Sequence, residues 1–246
     1  MAVVTDPLAD LLDLADVKPA LDDARAAVDD ALRHRALRRS GGPVAAEVGL
    51  RCAVAAAALE GHGYDREEVR DGLVTDPVLQ GALRVSRSVD GLAPLWTTAP
   101  RQVLARLHVL AARDVVADPD LGRPVADLGV ATRLNGLSAL VTDSTSAPAM
   151  LMAAVVCGEL LALAPFAGPS GLVARGAGRV ALIAGGLDPR GLLAVDVGHL
   201  AREPEYRGAS GAFATGTPDG VRAWLKHYAA AVTVAAGELV DIADAL

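Results

Sequence analysis

Apolar residues recur at three- and four-residue intervals along nearly the whole chain, and Gly, Pro and Asp break the runs. Asp6-Pro7 opens a short predicted helix with Leu8, Leu11, Leu12 and Leu14 on or near one face. A second runs from Pro19 to about Arg38 and ends in Arg33, Arg35, Arg38 and Arg39, a solvated helix end favoured by the macrodipole. A third, Pro43 to Glu60, carries Val44, Val48, Cys52, Ala55 and Leu59 as one stripe, and Gly61 and Gly63 stop it. Asp76-Pro77 and Ala99-Pro100 open two more, the latter with Val103, Leu104, Leu107 and Leu110 on its apolar side. After a loop at Ala117–Pro124, helices are predicted near Ala126–Val141, Pro148–Leu163, Gly171–Ala184, Asp188–Ala201 and Thr217–Leu246. No run alternates as a half-buried strand does, and no internal repeat is present. The predicted class is all-α, with Pro148–Leu163 as a buried central helix and residues 1–42 as an N-terminal arm packed on a domain of residues 43–246.

Composition narrows the picture. The chain has 246 residues and a formal charge of −7, which argues against a nucleic-acid partner. Lys18 and Lys226 are its only lysines, whereas arginine and alanine abound, pointing to GC-rich coding and a bacterial source. Met1–Asp10 lacks a basic segment followed by an apolar one, so no signal peptide is expected. Mean hydropathy is +0.34, which raises the question of a membrane. The most apolar stretch, Ala147–Leu163, is broken by Glu159 and falls short of the roughly 20 residues a span requires. A cytoplasmic protein with no membrane partner is the expectation. Cys52 and Cys157 lie in apolar helical stretches and read as buried thiols rather than a disulfide or metal pair.

The informative segment is Leu161 to Arg179, LALAPFAGPSGLVARGAGR. An apolar helix ends at Pro165-Phe166, a Gly168-Pro169-Ser170-Gly171 turn follows, and a new helix starts with Arg175 one turn in. Such a corner can be an ordinary connection, or it can offer backbone N–H groups to an anion at a helix N-terminus. The segment resembles the Fic motif, H-P-F-x-[D/E]-G-N-G-R-x-x-R. Pro165, Phe166, Gly171 and Arg175 match it; Ala164 stands at the catalytic histidine, Gly168 at the magnesium-holding acid, Pro169 at a loop glycine, Ser170 at the asparagine and Leu172 at the first arginine. Upstream, Ala56–Gly61 (AAALEG) resembles the family's inhibitory motif, [S/T]-x-x-x-E-[G/N], with Glu60 and Gly61 in place. Val103–Ala112 is similar to the helix preceding the family's target-docking flap, and Gly186-Leu187 and Tyr206 to Trp224 keep the family's helical layout, so that the resemblance covers roughly residues 43–228.

That resemblance implies a Fic-like helical domain with an inhibitory-type helix, and a protein adenylyltransferase ancestry using ATP and magnesium. In the family the histidine takes the target's proton, loop N–H groups hold phosphates and arginines neutralise them. Losing a general base costs about 10²–10⁴ in rate, and losing a donor or cation aimed at developing charge about 10²–10³. The resemblance therefore implies no catalytic residue and no metal ligand here, with Gly168, Ser170, Gly171 and Arg175 a vestigial anion- or nucleotide-binding loop and Glu60 and Gly61 inhibitory in type. Glu60 and Arg175 should face each other. The segment Pro119–Asp127 shows no hairpin pattern for a flap.

His108 reads as a satisfied, partly buried ring and His34 and His227 as solvated surface, while His62 and His199 stay open. Gly176-Ala177-Gly178 lacks the strand and third glycine of a dinucleotide site, and Gly168–Gly171 lacks the spacing of a nucleophile elbow. Three functions remain open. The chain is a catalytically inactive Fic-fold binding or regulatory module for a protein partner or a weakly held nucleotide; a residual nucleotidyl- or phosphoryl-transferase using another base; or a ligand-free helical scaffold. No cofactor is expected unless residual activity survives, and a homodimer is possible in each case.

Overall fold

The computed structural model describes residues 6–143 and 145–246. Residues 1–5, part of the segment read for a leader, lie outside the described residues. Among the described residues the chain forms twelve α-helices and no strand: α1 Val17–Leu32, α2 Gly41–Leu59, α3 Arg66–Arg70, α4 Pro77–Ser86, α5 Val89–Leu92, α6 Pro100–Ala112, α7 Leu128–Thr142, α8 Ala149–Leu163, α9 Ser170–Ala184, α10 Val195–Ala201, α11 Glu203–Phe213 and α12 Pro218–Ala245.

The innermost helix is α9, packed against α8, α6, α5, α4 and α2. Every residue from Leu172 to Leu182 is buried, whereas α8, the helix expected at the centre, leaves Val155 and Glu159 half-buried. Met152, Val156 and Leu160 are buried as expected. Small residues let α8 and α9 approach closely. A Cβ on Gly178 would meet the Tyr228 hydroxyl at 3.1 Å and Cys157 Cβ at 3.3 Å, tighter than ordinary contact. The Gly176–Gly178 pair is thus a packing feature. α1 lays Val17, Leu21, Ala24, Val28 and Ala31, an i, i+3/i+4 stripe, against α12.

α2 is the one described helix long and apolar enough to cross a bilayer, and α8, at 15 residues, is shorter. Core packing accounts for the apolarity of α2. Val44, Val48, Cys52, Ala55, Ala56 and Leu59 are buried, and α2 packs on α4 and α10. Its polar side carries Arg51, paired with Glu47 at 2.7 Å and Glu238 at 2.6 Å.

Three departures from the sequence-based expectations have local causes. The helix expected to reach Arg38 ends at Leu32; His34 is extended, and a 3₁₀ turn at Arg35–Arg38 turns Leu37 into the core. The helix expected from Asp188 starts only at Val195. The buried Asp188 carboxylate accepts the Leu192 and Leu193 N–H groups at 2.8 and 2.9 Å, which fixes a loop instead. The short helices α3 and α5 and the eleven-residue α11 have no counterpart among the predicted elements; α11 buries only Tyr206 and Ala209, so its apolar pattern is too thin to see.

Candidate functional site

The motif-like corner joins α8 to α9. α8 ends at Ala164, whose backbone is left-handed at φ 41° and ψ 58°, and whose side chain is exposed. That conformation costs an L-residue about 1–2 kcal/mol, least when the residue is Gly or Asn, and histidine also enters it more readily than most. The corner therefore keeps a cap shape ill-suited to its alanine. Ala164→Gly should raise stability by about 0.5–1 kcal/mol after the glycine's greater unfolded-state entropy is counted, a gain readable as a higher urea midpoint with unchanged slope.

Pro165 and Phe166 are buried, and the Phe166 ring stacks on His108 at 4.7 Å. His108, itself fully buried, acts as a tie. Its Nε2–H donates to the Ala167 carbonyl at 2.9 Å, and its Nδ1 accepts the Gly122 N–H at 3.0 Å. Burial holds its pKa below the usual histidine value, so the neutral ring that fits both bonds is the favoured form. Val125 N–H adds a bond to the Pro165 carbonyl at 2.9 Å. The segment between α6 and α7 is thereby fastened onto the corner by single bonds, with no strand in it.

The turn itself has few free donors. Ser170 N–H donates to the Gly168 carbonyl at 2.8 Å, Leu172 N–H to the Pro169 carbonyl at 3.2 Å, and Pro169 has no N–H. Ser170 Oγ is buried without a partner among the described residues. Gly168 is exposed at φ 72° and offers no side chain, and Leu172 is 2% exposed, turned into the core.

Glu60 is placed by the end of α2. Gly61 takes the left-handed cap position at φ 92°, Gly61 N–H bonds to the Ala58 carbonyl and His62 N–H to the Ala57 carbonyl, both at 2.9 Å. This is a Schellman ending, which requires glycine at that point and fixes Glu60 as the last residue before it. Arg175 sits one turn into α9 and makes four hydrogen bonds. Nη2 reaches Glu60 Oε1 at 2.9 Å and the Ala56 carbonyl at 3.0 Å, Nη1 the Tyr206 hydroxyl at 3.0 Å, and Nε the Asp196 carboxylate at 2.7 Å. Asp196 also accepts Cys52 Sγ–H at 3.0 Å. Burial opposes the guanidinium's charge, but Tyr206, Asp196 and Glu60 outweigh it and raise its pKa. A Cβ on Gly171 would overlap the Glu60 carboxylate, so the acid lies directly over the start of α9.

The structure thus brings Glu60, Gly171 and Arg175 together and leaves Gly168 outside the group. Sequence reading missed Asp196 and Tyr206; an aspartate inside the apolar run Ala194–Val197 was the available signal for a buried acid. His227 is corrected: it is buried, 5% exposed, with Nε2 3.0 Å from His199 Nδ1, and burial pushes its pKa down to about 4. His62 is tied to Asp76 at 3.1 Å, whose other oxygen caps α4. His34 is half-buried beside Asp244. Cys52 and Cys157 are free, buried thiols whose pKa values burial drives upward.

These residues do not fit a nucleotide with its magnesium. No carboxylate stands at Gly168, the Ser170 N–H is spent within the turn and Pro169 has none, Leu172 supplies no charge, and the Glu60 carboxylate covers Gly171. Among the described residues no three His, Cys, Asp or Glu side chains converge as a metal site.

No family model matches the sequence, and neither does any curated protein. Solved structures do. A Fic family protein from Desulfovibrio desulfuricans G20 aligns with a TM-score of 0.71 and 19% identity, over 91% of this chain and 74% of its own. Fic-1 from C. elegans aligns with a TM-score of 0.71 and 16% identity, over 92% of this chain and 72% of the other. With helices and no strand among the described residues, and with this likeness over nine tenths of its length, this chain has the fold of Fic family proteins.

Proposed function

We propose that this chain is a Fic-fold protein without transferase chemistry, working in the cytoplasm by recognition of a protein partner. The observation that carries the reading is the Glu60–Arg175 pair over Gly171, which takes the space and the positive charge a nucleotide's phosphates would need. The missing base at Ala164 and missing acid at Gly168 support it independently. Each loss alone slows transfer by orders of magnitude, although such losses do not simply multiply.

Two measurements test this. Incubated with labelled ATP and magnesium, the purified chain should modify neither itself nor proteins of a bacterial lysate, and Ala164→His should not change that. By calorimetry, ATP should bind with a dissociation constant of about 1 mM or weaker, about −4 kcal/mol. Transfer by the natural chain, or micromolar ATP binding, would overturn the proposal in favour of a residual transferase.

A further inference from the structure

Arg179 lies one turn beyond Arg175 on α9 and is 5% exposed. Among the described residues it forms no ion pair within 4.0 Å. Its Nη1 has only the Ser86 hydroxyl at 3.2 Å, its Nη2 only the Gly191 carbonyl at 3.5 Å, and its Nε has no partner. Three carboxylates lie near it without a direct bond: Asp196, bonded to Arg175 and Cys52, Asp188, bonded to the Leu192 and Leu193 N–H groups, and Asp90, on the rim of the adjoining cleft. Burial opposes its charge, but Cys52, Asp196, Asp188 and Asp90 around it outweigh that cost, so it is the guanidinium's N–H donors, not its charge, that are thinly served.

Two spaces adjoin it. One, beside Cys52 and Asp196, measures about 10 Å³ and has room for a single water at most. The other is a cleft of about 340 Å³ between α2, α4, α5 and the loop before α10. Ala45, Ala46 and Gly49 give it a small-residue wall, and Arg87 and Asp90 are exposed along it. Arg87 forms no ion pair among the described residues. Among the side chains that line it, two guanidinium groups, Arg87 and Arg179, stand with one carboxylate, Asp90, and its size suits a small metabolite rather than a polymer.

We propose that this cleft binds a small organic anion through one carboxylate or phosphate group held between Arg179 and Arg87, with Asp90 accepting a hydroxyl or amine of the same molecule. Guanidinium groups recognise both anions by paired N–H donors. The site is separate from the Glu60–Arg175 pair and does not depend on the function proposed above.

The test uses the full chain with inorganic phosphate and with acetate as probes, against chloride at equal ionic strength. Saturable binding should appear as a rise in melting temperature, and the Arg179 side-chain Nε–H resonance should move in step with it. The probe that binds more tightly identifies the anion class. Arg87→Ala, an exposed change, should weaken binding about tenfold, the loss of one charge-assisted contact. Ala46→Leu, also exposed, should abolish it by filling the cleft while leaving both arginines in place. Absence of saturable binding by either probe up to about 50 mM, a dissociation constant too weak to matter, would overturn the proposal. So would binding that survives Ala46→Leu, or an unmoved Arg179 resonance at saturation.

Discussion

Arg175→Ala should destabilise the chain by about 4–5 kcal/mol, because it strands Asp196 and leaves the Glu60 carboxylate unpaired. The Arg175 and Asp196 side chains are 3% and 4% exposed, whereas that of Glu60 is 19% exposed. The costs of removing the two ends of the clamp are therefore unequal. Glu60→Ala still leaves Arg175 with Asp196, Tyr206 and the Ala56 carbonyl, and should cost only about 1–2 kcal/mol, the value of one hydrogen bond between charged groups near water. The sequence expectation went only as far as placing Glu60 and Arg175 face to face. The double variant should be close to Arg175→Ala alone, since the two residues share one network and their effects do not add. Urea unfolding of the three variants, compared at constant slope, measures all of this. Equal losses from Glu60→Ala and Arg175→Ala would mean that Asp196 contributes little and that the outer pair carries the network.

The second large effect concerns Leu172, which the sequence resemblance sets at the place of the Fic motif's first arginine. Leu172→Arg should cost at least about 3 kcal/mol and lower the melting temperature by roughly 6–12 °C. Leu172 is 2% exposed and borders the space of about 10 Å³ beside Cys52, Gly176 and Arg179. An arginine there has no room, adds the cost of overpacking, and brings a second buried cation beside Arg179. Restoring the motif letter should thus harm the protein and give no ATP binding. A variant with natural stability and a new affinity for ATP would show that Leu172 faces an open nucleotide site.

The fold class and the main helices were legible in the chain, because amphipathic periodicity and Gly, Pro and Asp stops are local signals that survive without tertiary context. So was the position of Glu60 at its helix end, since Gly61 at the left-handed cap position leaves α2 no way to continue. Likeness to the inhibitory and corner motifs named the two ends of the Glu60–Arg175 pair. What else the guanidinium touches is set by packing. Asp196 and Tyr206 come from α10 and α11, 21 and 31 residues further along, and no periodicity encodes which buried acid meets which buried base. Packing also sets where His227 points: an apparently solvated position on α12 faces inward because α10 brings His199 against it. Finally, Arg175 and Arg179 share one face of one helix and look alike in sequence. Only the assembly of α2, α4, α5 and α10 around α9 surrounds the first with partners and leaves the second bordering an open cleft.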